Sequence, residues 1–124
     1  MPFDNGQFDV LLSLHTIHYE ETVKDVQLAL KEFSRVLKKG GCALIQTMAP
    51  KHDLFIKSKR IKGQLFQLDL PSDLRHKQFF TFFEDEVKFK KIASEYFSSI
   101  EVARCTEQYP NSCIDVWLFK LLKT

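Results

Sequence analysis

The sequence predicts an α/β fold in which two parallel strands flank a helix and an antiparallel strand pair closes the chain. Three observations carry this. Phe8-Asp9-Val10-Leu11-Leu12-Ser13-Leu14 is a near-continuous apolar run, the pattern of a strand covered on both faces of a parallel sheet. Val23, Val26, Leu30, Phe33 and Leu37 recur at steps of three and four, which makes one apolar stripe on a helix. Cys42-Ala43-Leu44-Ile45-Gln46-Thr47-Met48 is a second apolar run, stopped by Pro50.

Each element has a local cause. Residues 1–7 are turn-like. Thr22 and Asp25 have capping-box spacing, so the Thr22 hydroxyl accepts from a free amide of the first turn. The stripe ends at Lys38-Lys39-Gly40-Gly41. There the lysines suit the negative end of the helix dipole, and a glycine takes the left-handed cap. Strand, helix and strand together form a βαβ unit. Residues 49–80 are less regular, with Pro50, Pro71, Gly63 and the basic cluster Lys57, Lys59, Arg60 and Lys62; a helix is expected around His52–Arg60. Structureless connections beyond roughly 15 residues are uncommon and often act as lids or binding segments, so 49–80 is read as a substrate or lid insertion. Glu84–Tyr96 reads as a helix burying Val87, Ile92, Ala93 and Tyr96. Ser99–Cys105 and Ile114–Leu121 read as strands, and the turn residues Tyr109-Pro110-Asn111-Ser112 favour an antiparallel pair.

Composition bounds the rest. With 124 residues, 44% of them hydrophobic, the chain is expected to be a single domain over 1–124, and low-complexity disorder is excluded. No run approaches the roughly 18 apolar residues of a membrane span, and the opening lacks a basic region followed by an apolar core, so no secretory signal and no membrane association are expected. A net charge of +2 gives no bulk-charge argument for nucleic acid. The cluster at Lys57–Lys62 is read as a solvated face, with phosphate contact as the alternative. Cys42, Cys105 and Cys113 lack metal-like spacing. They are read as small apolar residues of a reduced, cytoplasmic protein.

Three segments carry a resemblance: Pro2-Phe3-Asp4-Asn5-Gly6-Gln7-Phe8-Asp9-Val10, then Ala29-Leu30-Lys31-Glu32-Phe33-Ser34-Arg35-Val36-Leu37-Lys38-Lys39-Gly40-Gly41, and the terminal strand pair. Together they resemble the C-terminal half of a class I S-adenosylmethionine-dependent methyltransferase. The resemblance implies a partial Rossmann-like sheet in the order 4-5-7-6 with flanking helices, the last strand antiparallel. It implies S-adenosylmethionine as cofactor and methyl transfer to a small-molecule acceptor. The family's glycine-rich loop precedes the matching part, and no G-x-G occurs in the chain. The chain is therefore read as a fragment or a truncated gene product, for which cofactor binding by this chain alone is not expected. The alternative reading is a non-catalytic half-fold that associates with itself or a partner. In either case residues 8–14 form an open sheet edge, which predicts a homo-oligomer through that edge.

In open α/β sheets ligands bind beyond the carboxyl ends of the strands. By resemblance, Ser13, Leu14, His15 and His18 line the pocket for the cofactor's methionine portion. The same side chains could instead only cap a helix or face solvent. Thr47, His52 and Arg75 are the candidate substrate residues; Arg75 suits an acidic acceptor. The Phe79-Phe80 and Phe82-Phe83 pairs either close a lid or fill a core. The family has no universal catalytic residue, because the sulfonium is already activated and positioning is the main task. His18 is the candidate base, with His52 second. His15 and His18 lack a third metal ligand. Glu32 and Arg35, three apart, are read as a local ion pair.

Overall fold

The computed structural model describes residues 2–124. Strand β1 (Phe8–Leu14) leads through a 3-10 turn (Ile17–Tyr19) into helix α1 (Val23–Val36), and strand β2 (Leu37–Met48) follows without a gap. A short helix α2 (Asp53–Ile56) opens the middle of the chain. Three strands come next, β3 (Ser58–Lys62), β4 (Leu65–Leu68) and β5 (Phe79–Thr81). Helix α3 (Glu86–Ala93) and the strands β6 (Ser99–Gln108) and β7 (Cys113–Leu122) complete it. The main sheet has the order β1-β2-β7-β6. β1 and β2 run parallel with Leu12 beside Leu44, and β7 is antiparallel to both its neighbours. This is the expected order and the expected direction of every strand.

The Thr22 hydroxyl accepts from the Asp25 amide at 3.0 Å, so the predicted cap opens α1. Its Val26 and Leu30 are fully buried against the sheet, each such side chain contributing roughly 1.5–3 kcal/mol. Helix α3 adds Phe89, Ile92 and Ala93 to the same core. Phe89 stacks on Phe119 of β7 with centroids 4.0 Å apart, and the Trp117 indole donates to the Phe83 carbonyl.

Several expectations are corrected. Helix α1 ends at Val36 and Leu37 is already extended, so no glycine caps it. Residues 38–41 belong to β2, and Gly40 and Gly41 pair with Lys123 beside β7. Gly40 does take a left-handed conformation (φ 82°), but within the strand. Gly41 is needed for a different reason: a Cβ there would sit 2.8 Å from the Asp9 carbonyl oxygen and 2.9 Å from that of Lys38. Helix α3 begins later than expected, with Asp85 as its cap. Val87 therefore turns to solvent, and Phe89 takes the buried position. The helix expected over His52–Arg60 shrinks to α2, because Ser58–Lys62 is drawn into a ladder with β4.

Segment 49–80 is thus more regular than its prolines and charges imply. It holds a three-stranded antiparallel sheet, β3-β4-β5, over a core of its own made from Met48, Leu54, Phe55, Phe66, Leu68, Phe80 and Phe82. The rings of Phe80 and Phe82 stack at 5.2 Å, and those of Phe55 and Phe82 at 4.8 Å. The phenylalanines are core, not an open flap. The other departure lies in β1. Its apolar run is covered on one face only, leaving Val10, Leu12 and Leu14 at 54%, 61% and 51% exposure. Among the described residues no helix is long and apolar enough to cross a membrane.

Candidate functional site

β1 and β2 are parallel, so their carboxyl ends share a rim, and the start of antiparallel β7 joins it. A cavity of about 420 Å³ opens there. His15, His18 and Tyr19 reach it from the segment after β1, and His52 and Asp53 from the segment after β2. Asp73 and Arg75 reach it from the link between β4 and β5, while Met48, Leu54, Leu70 and Ile114 form its apolar parts. A second cavity of about 400 Å³ lies between the 3-10 turn and α1. It is lined by Glu20, Asp25 and Glu32 and contains no histidine.

Backbone conformation sets the first wall. His15 takes a left-handed conformation (φ 57°) at the end of β1, and its amide still donates to the Gln46 carbonyl at 3.0 Å. The chain turns sharply there and carries His18 inward to 1% exposure. His18 packs among the rings of Tyr19, Phe80 and Phe82. Its Nδ1 is 3.2 Å from the Thr47 hydroxyl, and Nε2 has no partner. Burial, followed by the nearby His15, His52 and Arg75, lowers its pKa to about 4, so the ring is neutral at neutral pH.

His52 caps α2. Its Nδ1 accepts from the Leu54 amide at 3.1 Å, which places the proton of the neutral ring on Nε2. Burial lowers its pKa as well; Asp53 opposes the shift. Arg75 is gripped by Asp73 through Nε and Nη2, both at 2.9 Å. That pairing, opposed by burial and assisted by Tyr19, holds the guanidinium above its ordinary value. The Asp73 carboxyl is held at about 2 in return. Arg75 is therefore a fixed donor and not a free surface cation.

Of the residues singled out in the sequence, His15, His18, His52 and Arg75 meet on this one cavity. Thr47 is fully buried and turns its hydroxyl toward His18 instead of lining the space. The Ser13 hydroxyl shares a 2.7 Å hydrogen bond with that of Thr16. Leu14 stays exposed at the open side of β1. Glu32 and Arg35 pair through two hydrogen bonds of 2.9 Å, as spacing implies. Sequence reasoning missed Tyr19, Asp73 and Asp115. The Asp-x-Arg spacing of Asp73 and Arg75 was a signal for one of them, and a carboxylate inside the apolar run of β7 was a signal for another. Among the described residues no set of three ligating side chains converges as a metal site needs.

Comparisons with known proteins bear on the fold that carries this cavity. Residues 1–45 match the family model of a methyltransferase domain. No curated protein matches by sequence. Among solved structures, an S-adenosylmethionine-dependent methyltransferase of Methanosarcina mazei superposes with a TM-score of 0.73 at 16% identity, over 99% of this chain and 62% of that one. A Thermotoga maritima methyltransferase, described as a possible histamine N-methyltransferase, gives 0.70 at 20% identity, over 100% of this chain and 60% of that one. The 1,6-didemethyltoxoflavin-N1-methyltransferase of Burkholderia thailandensis, solved with bound 1,6-didemethyltoxoflavin and S-adenosylhomocysteine, gives 0.64 at 12% identity, over 97% of this chain and 45% of that one. The fold is therefore that of the S-adenosylmethionine-dependent methyltransferases. The chain spans about 60% of the length of the first two structures it matches.

Proposed function

We propose that this chain takes part in S-adenosylmethionine-dependent methyl transfer, and that the cavity between His18, His52 and Arg75 holds a small-molecule acceptor. One observation carries the reading: side chains from three separate segments converge at the strand ends of a methyltransferase fold, where such sheets bind ligands. Small-molecule acceptors in similar structures support the same class.

The residues at the end of β1 fit a methyl donor. The left-handed turn at His15 opens the strand end, and His18 keeps a buried nitrogen without a partner. Leu14 and His15 would hold the donor beside His18, while the Ser13 hydroxyl is already engaged by Thr16. The donor supplies a methyl group on a positively charged sulfur. A neutral His18 adds no repelling charge there, and it remains the candidate to take a proton from the acceptor. Arg75, fixed by Asp73, orients an acidic acceptor. Met48 and Leu54 keep water away from the cavity floor. Positioning of this kind supplies most of what an in-line displacement requires.

Titration with S-adenosylhomocysteine of this chain joined to a preceding half that carries the glycine-rich loop, followed through the histidine ring resonances, tests the reading. His15 and His18, which line the cavity, are expected to shift more than His76, which does not line it and accepts from the Leu70 amide at its border. Transfer of a labelled methyl group to small acids and amines is expected to fall at least tenfold in Arg75→Ala. Histidine resonances that do not move, together with no transfer, would sink it.

A further inference from the structure

We propose that the acceptor is a zwitterion, a small α-amino acid whose carboxylate meets Arg75 and whose ammonium group meets Asp53. The inference rests on the reading of the cavity as an acceptor site and names the class of molecule it takes. It stands on the charges that line the cavity and on what each of them touches. Besides its histidines, the lining holds one guanidinium, that of Arg75, and two carboxylates, those of Asp73 and Asp53. Asp73 belongs to Arg75. Both of its oxygens accept from the guanidinium, and Oδ1 also accepts from the Arg75 amide at 2.7 Å. A guanidinium carries five N–H groups. Asp73 engages Nε and Nη2, with Tyr19 alongside, which leaves N–H groups for a ligand carboxylate.

Asp53 has no such partner. It opens α2, and its Oδ1 accepts from the Cys113 amide at 3.1 Å. Its Oδ2 makes no hydrogen bond within the protein, and among the described residues no cationic side chain forms an ion pair with it. The adjacent His52 does not neutralise it, because burial lowers the pKa of that ring and leaves it uncharged at pH 7.5. A carboxylate drawn toward an apolar space is costly until a cation compensates it. The balance of charge then separates three classes of ligand. A plain acid would suit Arg75 but would bring a third carboxylate into a space that holds two, one of them uncompensated. A plain amine would suit Asp53 but would be repelled by Arg75. Like charges set against each other in this way reject a ligand. A molecule with both groups meets a partner at each. The rest of the lining includes Met48, Leu54, Leu70 and Ile114. These apolar residues suit a ligand that carries its two charges at one end and an apolar side chain at the other, as an α-amino acid does.

Calorimetric titration at pH 7.5 tests this on the chain joined to a preceding half that carries the glycine-rich loop, with and without S-adenosylhomocysteine. The probes are L-phenylalanine and L-leucine. Each is set against the amine and the acid that keep its skeleton and lose one charged group: 2-phenylethylamine and 3-phenylpropionate, 3-methylbutylamine and 4-methylpentanoate. At least one of the amino acids is expected to bind about tenfold more tightly than both of its partners. Asp53→Asn keeps an oxygen for the Cys113 amide. It should weaken the amino acid about tenfold and leave the matching acid unchanged or tighter. Arg75→Gln should weaken the amino acid and the acid but not the amine. Should either variant fail to fold, the comparison of probes on the unmodified protein decides. An acid or an amine that binds as tightly as its amino acid would overturn the proposal and leave the acceptor reading standing. Amino-acid binding that survives both substitutions would overturn it too, as would no binding of any probe. In that last case the response to S-adenosylhomocysteine still judges the methyl-transfer reading separately.

Discussion

Replacing Asp115 by alanine is expected to remove about 3 kcal/mol of folding stability, measurable as a lower urea midpoint. Asp115 is fully buried at the start of β7. Its carboxylate accepts from Arg104 Nε at 3.0 Å and Nη2 at 2.6 Å, from the Thr106 hydroxyl at 2.7 Å and from the Lys51 amide at 2.8 Å. Its own carbonyl accepts from the Ala49 amide. One side chain thus ties the end of β2 to the β6–β7 pair, under the wall that carries His52. Losing a buried partner typically costs about 3–5 kcal/mol. The lower end applies because Arg104 is partly exposed, lies over the Trp117 ring and can turn to water. Burial alone would raise the carboxyl, but Arg104, Thr106 and the Lys51 amide outweigh it and hold its pKa at about 2. The folded value lies below the unfolded one, so the contribution is whole above pH 4 and disappears as pH falls through 2. Asp115→Asn keeps an acceptor oxygen and should lose roughly half as much. A loss below about 1 kcal/mol in the alanine variant would contradict this role.

Acid should destabilise the protein well before its carboxylates are protonated, and His18 is the main cause. Buried and beside other basic groups, it titrates near 4 in the folded chain but near 6.5 when unfolded. Above pH 6.5 both states are neutral at this ring and it contributes no pH dependence. Between pH 6.5 and 4 the unfolded chain takes up a proton that the folded chain refuses. Stability therefore falls by on the order of 3 kcal/mol across that window and levels off below it. His52 is shifted in the same direction and adds to the slope. Chemical denaturation at a series of pH values should show the slope in the wild type and lose most of it in His18→Phe. An equal slope in that variant would assign the effect elsewhere. At pH 7.5 the same variant leaves the Thr47 hydroxyl without its partner, a loss of about 1 kcal/mol.

The contrast between these two residues marks what was legible in the sequence. The main sheet was readable because periodicity records burial. The runs at 8–14 and 42–48, the α1 stripe and the turn at 109–112 each led to the right element. Rim position likewise put His15, His18, His52 and Arg75 forward as candidates, and all four line one cavity. Long-range pairing was not readable. Ser58–Lys62 carries helix-like charge but forms a strand because β4 offers a ladder. Lys38–Gly41 looks like a helix end but is extended, and its two glycines pair with Lys123 at the far end of the chain. Partner identity also escaped, since nothing local to Thr47 says that its hydroxyl meets an imidazole 29 positions earlier.

The aromatic core under β3-β4-β5 and the core under the main sheet have no residue in common. Mutations can therefore accumulate in one without unpacking the other. The turn bearing Asp73 and Arg75 rides on the smaller of the two, a cassette that can be rewritten while the scaffold of α1, α3 and the long strands stays as it is.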